Sequence, residues 1–213
     1  MSVRIVVTGT DTGIGKTVFA AGLTRLLDAV YWKPVQAGLA DETDTMVVRR
    51  LSGLPADRTL PEAWRLTSPV SPHWAAERDA VAIDPTALVL PSITRSLVIE
   101  GAGGVMVPLT RRVLYIDVLA RWGVPVVLCA RTTLGTLNHT LLSLEALQRR
   151  GIPILGVALI GHAHPDNERT LGAFGGVPIL GRLPFLDPLL PDTLGTAFAA
   201  AFPRESFARD TPI

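Results

Sequence analysis

The sequence predicts an α/β fold in which a parallel β-sheet carries helices on both faces. Short apolar segments alternate with helical segments along the 213 residues. The apolar segments are near-continuous runs of Val, Ile and Leu, which is typical of strands buried on both faces. Their alternation with helices favours a parallel sheet, because each helix then crosses over the sheet between two strands. We expect residues 1–213 to form one domain, since this length supports a single large core.

Six strands and five helices are predicted in alternation. The strand segments are Arg4–Thr8, Val30–Pro34, Leu97–Glu100, Val124–Ala130, Leu155–Ile160 and Ile179–Arg182. The helical segments are Lys16–Leu27, Asp44–Leu51, Tyr115–Trp122, Leu137–Arg150 and Thr193–Ala201. Six prolines from Pro55 to Pro91 interrupt any long helix, so we expect a surface excursion with one short helix that begins at Asp84-Pro85. We expect residues 203–213 to be a loose C-terminal tail.

The composition argues against several classes of function. The 20 basic and 19 acidic residues leave a net charge of +1, so there is no electrostatic footprint for nucleic acid. No apolar run approaches the roughly 18 residues that a membrane-spanning helix needs. The chain starts with a strand pattern rather than a signal peptide and has one cysteine, Cys129, so we expect a cytoplasmic protein. Nearly all basic residues are Arg, and the two lysines, Lys16 and Lys33, therefore require a local explanation.

A glycine-rich loop, Gly9–Thr17, connects the first predicted strand to the first helix. Its glycines allow successive backbone N–H groups to face one anion, and the helix N-terminus adds its dipole. Lys16 is placed to reach the β- and γ-phosphates of a nucleotide, and the Thr17 hydroxyl to bind Mg²⁺. Thr10 stands where the strict P-loop pattern has glycine, so the loop is a lengthened variant. The alternative is a glycine-rich turn without a ligand, but the strand–loop–helix context favours a P-loop NTPase-like fold that binds a nucleoside triphosphate.

Three further charged residues are candidates for the same site. Glu100 ends a buried strand and precedes Gly101–Gly104, which is the position of a metal-site acid in a P-loop fold. Its alternative role is to cap a loop, although an isolated acid in an apolar run is costly unless it has a partner. Asp44 is a second candidate metal ligand, or equally the solvated start of a helix. Lys33 ends the second strand, where a lysine is by itself more often a surface charge.

Five segments together resemble dethiobiotin synthetase, in the family's order and at similar intervals. They are Gly9–Thr17, Lys33–Gln36, Ser71–His73, Glu100–Gly104 and Leu134–His139. The segment Gly181–Leu186 also resembles a late Gly-x-Ile/Leu-Pro motif of the family. The resemblance implies a Mg²⁺- and ATP-dependent cyclo-ligase of biotin biosynthesis. Such an enzyme converts 7,8-diaminononanoate and CO₂ (or bicarbonate) to dethiobiotin through a carbamate and a carbamic–phosphoric anhydride.

The resemblance also implies roles for individual residues. Thr17, Asp44 and Glu100 would hold Mg²⁺, and Lys16 and Lys33 would be the catalytic lysines that neutralise the transferring phosphoryl group. The remaining nucleotide-binding residues would be Gly13, Ile14, Gly15, Val18, Gly101, Ala102, Gly103, Ile160, Gly161, Leu183, Pro184 and Phe185. The substrate-binding residues would be Thr12, Lys33, Ala37, Leu137 and Asn138. The family forms homodimers, and Leu137 and Asn138 would reach the substrate of the partner subunit.

Two positions depart from the family pattern. Ala37 replaces the usual Ser or Thr beside the substrate, so one hydrogen bond to the diamine or carbamate is absent. Ile160-Gly161 replaces an Asn-Asp pair whose Asn reads the adenine edge, so we expect weaker discrimination among nucleoside triphosphates.

Three other functions compete with the ligase. A switch or partition-type P-loop ATPase usually has an additional lysine early in the loop, which Gly9–Ile14 lacks. A cobyrinate amidase-type ligase generally carries a glutaminase domain, for which 213 residues leave no room. A catalytically weakened nucleotide-binding relative is the third alternative, and Ala37 is the residue that suggests it.

Overall fold

The computed structural model describes residues 2–208. Within this range the strands, in chain order, are β1 (Arg4–Gly9), β2 (Val30–Trp32), β3 (Val35–Ala37), β4 (Trp64–Leu66), β5 (Leu97–Glu100), β6 (Val126–Arg131), β7 (Ile154–Ile160) and β8 (Ile179–Leu183). The α-helices are α1 (Lys16–Leu27), α2 (Asp44–Ser52), α3 (Pro72–Arg78), α4 (Tyr115–Trp122), α5 (Thr136–Arg149), α6 (Pro165–Gly175) and α7 (Pro191–Ala201). None of these helices is long and apolar enough to cross a membrane.

Six strands form one parallel sheet in the order β2-β5-β1-β6-β7-β8. Alternate residues of each strand point to opposite faces, so Val6 enters one hydrophobic core while Ile5 and Val7 enter the other. Helices α4, α5 and α6 cover the first face, and α1, α2 and α7 cover the second. The predicted fold class is confirmed. The carboxyl ends of β1, β2 and β5 lie together at one edge, where ligands bind in such sheets.

The Pro-rich excursion contains more structure than the sequence analysis predicts. Strand β4 lies within it and pairs in parallel with β3, which precedes the excursion, and α3 follows β4. The short helix expected at Asp84-Pro85 is a single 3₁₀ turn, Pro85–Ala87, in which the Asp84 side chain accepts a hydrogen bond from Thr86 N at 2.9 Å. Helix α6 was also missed, because few apolar residues recur along it and Leu171 is its main core contact.

The predicted loose tail is wrong for the part of it that the structure describes. Residues Arg204–Phe207 form a 3₁₀ turn, and the Phe207 ring is 1% exposed. That ring packs against Phe19 of α1 and Phe202, at centroid separations of 6.4 Å each. One aromatic side chain therefore holds the segment on the second core. The rest of the predicted tail, residues 209–213, lies outside the described residues.

We expect Phe207→Ala to lower the free energy of unfolding by about 3 kcal/mol, because it removes a buried ring and leaves a cavity. Urea unfolding monitored by circular dichroism measures the change. Phe174→Ala is the matched control, since the Phe174 side chain is 76% exposed and its removal should cost less than about 0.5 kcal/mol. Equal stability losses for the two variants would contradict the burial of Phe207.

Candidate active site

The loop between β1 and α1 forms a concave turn at the carboxyl edge of the sheet. Gly13 and Gly15 have φ values of 69° and 96°, in the left-handed region that favours glycine. Gly9 has no room for a side chain, because a Cβ there would lie 2.6 Å from Ile14 Cδ1. The loop therefore depends on glycine for both its turn and its packing, and it leads directly into the N-terminus of α1.

Lys16, the first residue of α1, is buried and reaches back across the loop. Its Nζ donates a hydrogen bond to the Asp11 carbonyl oxygen at 2.5 Å. Burial lowers the pKa of Lys16, with a further lowering by Lys33, while Glu100 opposes the change. An ammonium in this position is partly desolvated and is suited to phosphate oxygens.

Three oxygen-bearing side chains meet beside the start of α1. The Thr17 Oγ1 hydroxyl donates to Glu100 Oε1 at 2.9 Å and is 3.1 Å from Asp44 Oδ1. Glu100 comes from the end of β5, whereas Asp44 is the first residue of α2. The structure therefore brings together all three predicted metal ligands. One hydroxyl and two carboxylates are oxygen donors of the kind that Mg²⁺ prefers beside phosphate.

Lys33 is the centre of this group. Its Nζ lies 2.5 Å from Asp44 Oδ2, 3.2 Å from Glu100 Oε1 and 3.0 Å from the Gly101 carbonyl oxygen. Its side chain is 4% exposed, so it is a buried cation rather than a surface charge. Both lysines of the sequence therefore interact electrostatically with the same two carboxylates.

Burial and mutual charge interactions set the pKa values in this group. Burial raises the pKa of Glu100, although Lys33 opposes the shift. Burial also acts to raise the pKa of Asp44, but the Lys33 ammonium prevails and the pKa lies below its usual range. For Lys33, burial acts to lower the pKa, and the two carboxylates together raise it instead. The cluster accordingly keeps the ammonium charged in spite of its burial.

A first cavity of about 370 Å³ lies beside the loop. Eight predicted nucleotide-binding residues line it: Gly13, Ile14, Gly15, Val18, Ile160, Leu183, Pro184 and Phe185. Its other lining residues are Arg131, Thr133, Leu186 and Leu189. Gly161 adjoins the cavity through its backbone, whose N–H donates to the Leu183 carbonyl oxygen at 3.0 Å and whose carbonyl accepts from Arg182 Nη1 at 2.8 Å.

A second cavity of about 330 Å³ is lined in part by Lys33. Thr12, Lys33 and Ala37, three of the predicted substrate-binding residues, line it together with Asp44. Ala102 and Gly103, predicted as nucleotide-binding residues, also face this second cavity. The other two predicted substrate-binding residues, Leu137 and Asn138, are not among the described residues that line this cavity. Asn138 is exposed near the start of α5.

Comparison with known proteins identifies the family. The sequence model of a family described as an AAA domain matches residues 3–193. The chain is 63% identical to the ATP-dependent dethiobiotin synthetase of Rhodopseudomonas palustris strain TIE-1, over the full length of both proteins. The chain belongs to the dethiobiotin synthetase family. A member from Nitrobacter hamburgensis is 60% identical, over 98% of this chain and 99% of the relative.

Solved structures show the same fold in more distant proteins. A ParA family ATPase from Chlorobium tepidum covers 97% of this chain and 95% of its own, with a TM-score of 0.56 and 12% identity. The cell division ATPase MinD from Pyrococcus furiosus gives the same TM-score at 16% identity, over 93% of this chain and 95% of its own. The close relatives, at 60% and 63% identity, confirm the predicted family and enzyme class. The partition-type ATPases share the architecture alone.

Two residues of this dethiobiotin synthetase family member support the cluster and were missed by sequence reasoning. Tyr31 donates its hydroxyl to Glu100 Oε2 at 2.8 Å, and Gln36 Oε1 accepts a hydrogen bond from the Asp44 N–H at 3.1 Å. Gln36 belongs to the Lys33–Gln36 segment, which was a signal for a role near the site. Tyr31 gave no such signal, because it looks like one more apolar position of a buried strand.

We expect Lys33→Ala to lower the free energy of unfolding by about 3–5 kcal/mol at pH 7 in metal-free buffer, because it leaves the buried Glu100 and the partly buried Asp44 without the Lys33 counter-charge. Their pKa values in the folded state then rise above those of the unfolded chain. A carboxyl group with a raised pKa supports folding at low pH and loses that contribution as pH rises. The deficit should therefore shrink between pH 7 and pH 4.5, as urea titrations at several pH values will show.

Arg50→Ala is the matched control for this prediction. Its guanidinium pairs with Glu42 at 2.7 Å on the surface, so its loss should cost less than about 1 kcal/mol. A Lys33→Ala deficit that is as small as that of Arg50→Ala, or that grows at low pH, would contradict the buried cluster.

Proposed function

We propose that this protein synthesises dethiobiotin from 7,8-diaminononanoate, CO₂ and ATP, with ATP in the first cavity and the diamine in the second. The observation that carries the proposal is that the Lys33 cluster joins the loop whose Gly13 and Gly15 line the first cavity to the residues that line the second. Lys33 and Asp44 line the second cavity. Thr17, at the end of the glycine-rich loop Gly9–Thr17 (the phosphate loop), is hydrogen-bonded to Asp44 and Glu100. A phosphoryl group and an acceptor oxygen held in the two cavities would therefore meet beside Lys33.

The chemistry needs charge stabilisation and positioning more than a reactive side chain. One amine of the substrate adds CO₂ and loses a proton to give a carbamate anion. A carbamate oxygen then attacks the γ-phosphorus of ATP, ADP leaves, and a carbamic–phosphoric anhydride forms. The second amine attacks its carbonyl carbon, and the C–O bond to phosphate breaks as the ureido ring closes. Lys33 faces the carbamate and Lys16 the phosphates, so that both neutralise charge as the phosphoryl group transfers.

Thr17, Asp44 and Glu100 are the residues that would hold Mg²⁺. Their donor set fits this ion, because hard oxygen ligands converge at the end of the phosphate loop. When bound, Mg²⁺ supplies neutralising charge for the phosphate oxygens. Tyr31 holds the second oxygen of Glu100 and Gln36 holds the backbone of Asp44, so both carboxylates are oriented before any ligand arrives.

A homodimer would complete the substrate site. A third cavity, of about 380 Å³, is lined by Thr12, Met106, His139 and Leu142, and Thr12 lines the second cavity as well. Leu134, two residues before the start of α5, is fully exposed, and Met106 and Leu142 are about half exposed. An apolar surface that opens toward the substrate cavity suits a second copy of the chain. The N-terminus of the partner's α5 would then attract the substrate carboxylate.

The cytoplasm is the compartment that we propose for this reaction. Cys129 is buried in β6, where burial raises the pKa of its thiol well above the ordinary value. A single buried, protonated thiol needs no oxidising environment.

We expect weak discrimination among nucleoside triphosphates. Of the described residues that line the first cavity, only Arg131 and Thr133 have polar side chains, and the Gly161 backbone is already hydrogen-bonded. An apolar cavity separates similar ligands by about 10- to 200-fold at most, whereas a hydrogen-bonding site reaches 10⁴-fold or more. Initial rates should therefore give kcat/KM values for ATP and CTP within about tenfold of each other.

Ile160→Asn is the companion variant for that measurement, because it restores an amide at the position where the family reads adenine. It should shift the ratio of kcat/KM values toward ATP. A preference for ATP over CTP of more than about 200-fold in the unaltered protein would contradict the expectation.

The activity itself is tested with diaminononanoate, bicarbonate, Mg²⁺ and ATP, with dethiobiotin detected by mass spectrometry. Product should require all four components, and nucleotide binding without product would instead identify a catalytically weakened relative. Lys33→Ala should lower turnover by about 10²- to 10³-fold, the effect of removing one preorganised charge-stabilising group. Arg50→Ala should leave turnover unchanged. A loss below tenfold for Lys33→Ala would exclude a catalytic role for this lysine.

A further inference from the structure

The phosphate loop, which we propose holds a polyphosphate, contains an acidic residue, Asp11, which lines the third cavity beside Thr12. The Asp11 carbonyl oxygen accepts the hydrogen bond from Lys16, and its carboxylate Oδ1 accepts one from the Thr12 N–H at 2.7 Å. The carboxylate is therefore fixed to the loop that wraps the phosphates. An unpaired negative charge at this position would repel a nucleotide that itself carries several negative charges.

Arg131 supplies the compensating charge. It is the last residue of β6, and its Nη2 lies 2.6 Å from Asp11 Oδ2. Strand β6 pairs with β1 up to Gly9, so the guanidinium extends from the neighbouring strand end to the loop. Its side chain also lines the first cavity. The two side chains are 39% and 53% exposed, and such a pair adds at most about 1 kcal/mol to folding stability.

We propose that Arg131 is a positioning residue that neutralises Asp11 and thereby allows the phosphate loop to accept the nucleotide's polyphosphate. Its effect acts through the charge of Asp11, since the guanidinium is held by the carboxylate rather than by the ligand. The inference rests on the proposed nucleotide site in the first cavity. An arginine beside a phosphate site can contact the phosphate directly or neutralise a neighbouring acid. Substitution of Arg131 alone would weaken binding in either case.

Isothermal titration calorimetry on the full chain, with a non-hydrolysable ATP analogue and with adenosine, measures the effect. Arg131→Gln should raise the Kd of the ATP analogue by about three- to tenfold at low ionic strength and less at high ionic strength, because salt screens the repulsion. The Kd of adenosine, which has no phosphate, should not change. Arg131→Lys should keep most of the affinity, because it retains the charge without the guanidinium fork.

A double variant distinguishes masking from direct contact. If Arg131 acts by neutralising Asp11, Asp11→Asn in the Arg131→Gln background should return the Kd to within about twofold of the original value, because the repulsive charge is then gone. Asn keeps the oxygen that accepts the Thr12 N–H. A double variant that binds as weakly as Arg131→Gln would overturn the proposal and indicate direct phosphate contact.

Two controls make the outcome unambiguous. Arg149→Gln removes a guanidinium that pairs with Glu145 at 2.7 Å on the surface of α5, and it should leave both Kd values unchanged. Thermal unfolding of every variant shows that each is folded at the titration temperature. If the unaltered protein fails to bind the ATP analogue, the proposed function and this inference both fail. If it binds and Arg131→Gln binds equally well, the inference alone fails.

Discussion

The buried contact of one ammonium with two carboxylates is the constraint on which the rest of this site depends. Lys33 and Glu100 are almost fully removed from water, and such charges are tolerated only when each has a close partner and further hydrogen bonds. Tyr31, Gly101 and Thr17 supply those hydrogen bonds. Because the partners come from β2, β5, α1 and α2, the cluster is complete only when these elements lie in their observed places. The arrangement that stabilises the buried charges is therefore the same arrangement that forms the candidate site.

Charge balance links that cluster to the phosphate loop. Burial lowers the pKa of Lys16 and raises that of Glu100, whereas the attraction between Lys33 and the two carboxylates raises the pKa of Lys33 and lowers that of Asp44. Asp11 adds a further negative charge on the loop, which Arg131 neutralises from the neighbouring strand end. The site thus holds several opposite charges in close pairs before any ligand is bound. A nucleotide and a cation bound as we propose would exchange these partners rather than create new charge separation.

Much of the site was predictable because its residues stand at the ends of predicted strands and helices. The loop before α1, Lys33 after β2 and Glu100 at the end of β5 each interrupt an apolar pattern with a charge. Asp44 was ambiguous, since an acid at a helix start has the same local pattern whether it caps the helix or binds a ligand. Tyr31 and Arg131 were not recognised as site residues, because their contacts join positions 69 and 120 residues apart in the chain. Local periodicity contains no information about such pairs.

The sequence by itself determined the fold class, the glycine-rich loop and the family, because these depend on periodicity, glycine spacing and motifs that are local in the chain. The tertiary structure alone decided that Asp44 faces Lys33, that Ala102 and Gly103 line the second cavity, and that residues 204–207 pack on the core. These outcomes depend on strand order and on which side chains fill the remaining space. A pattern along the chain specifies which face of an element is buried, and only the packed sheet specifies what that face meets.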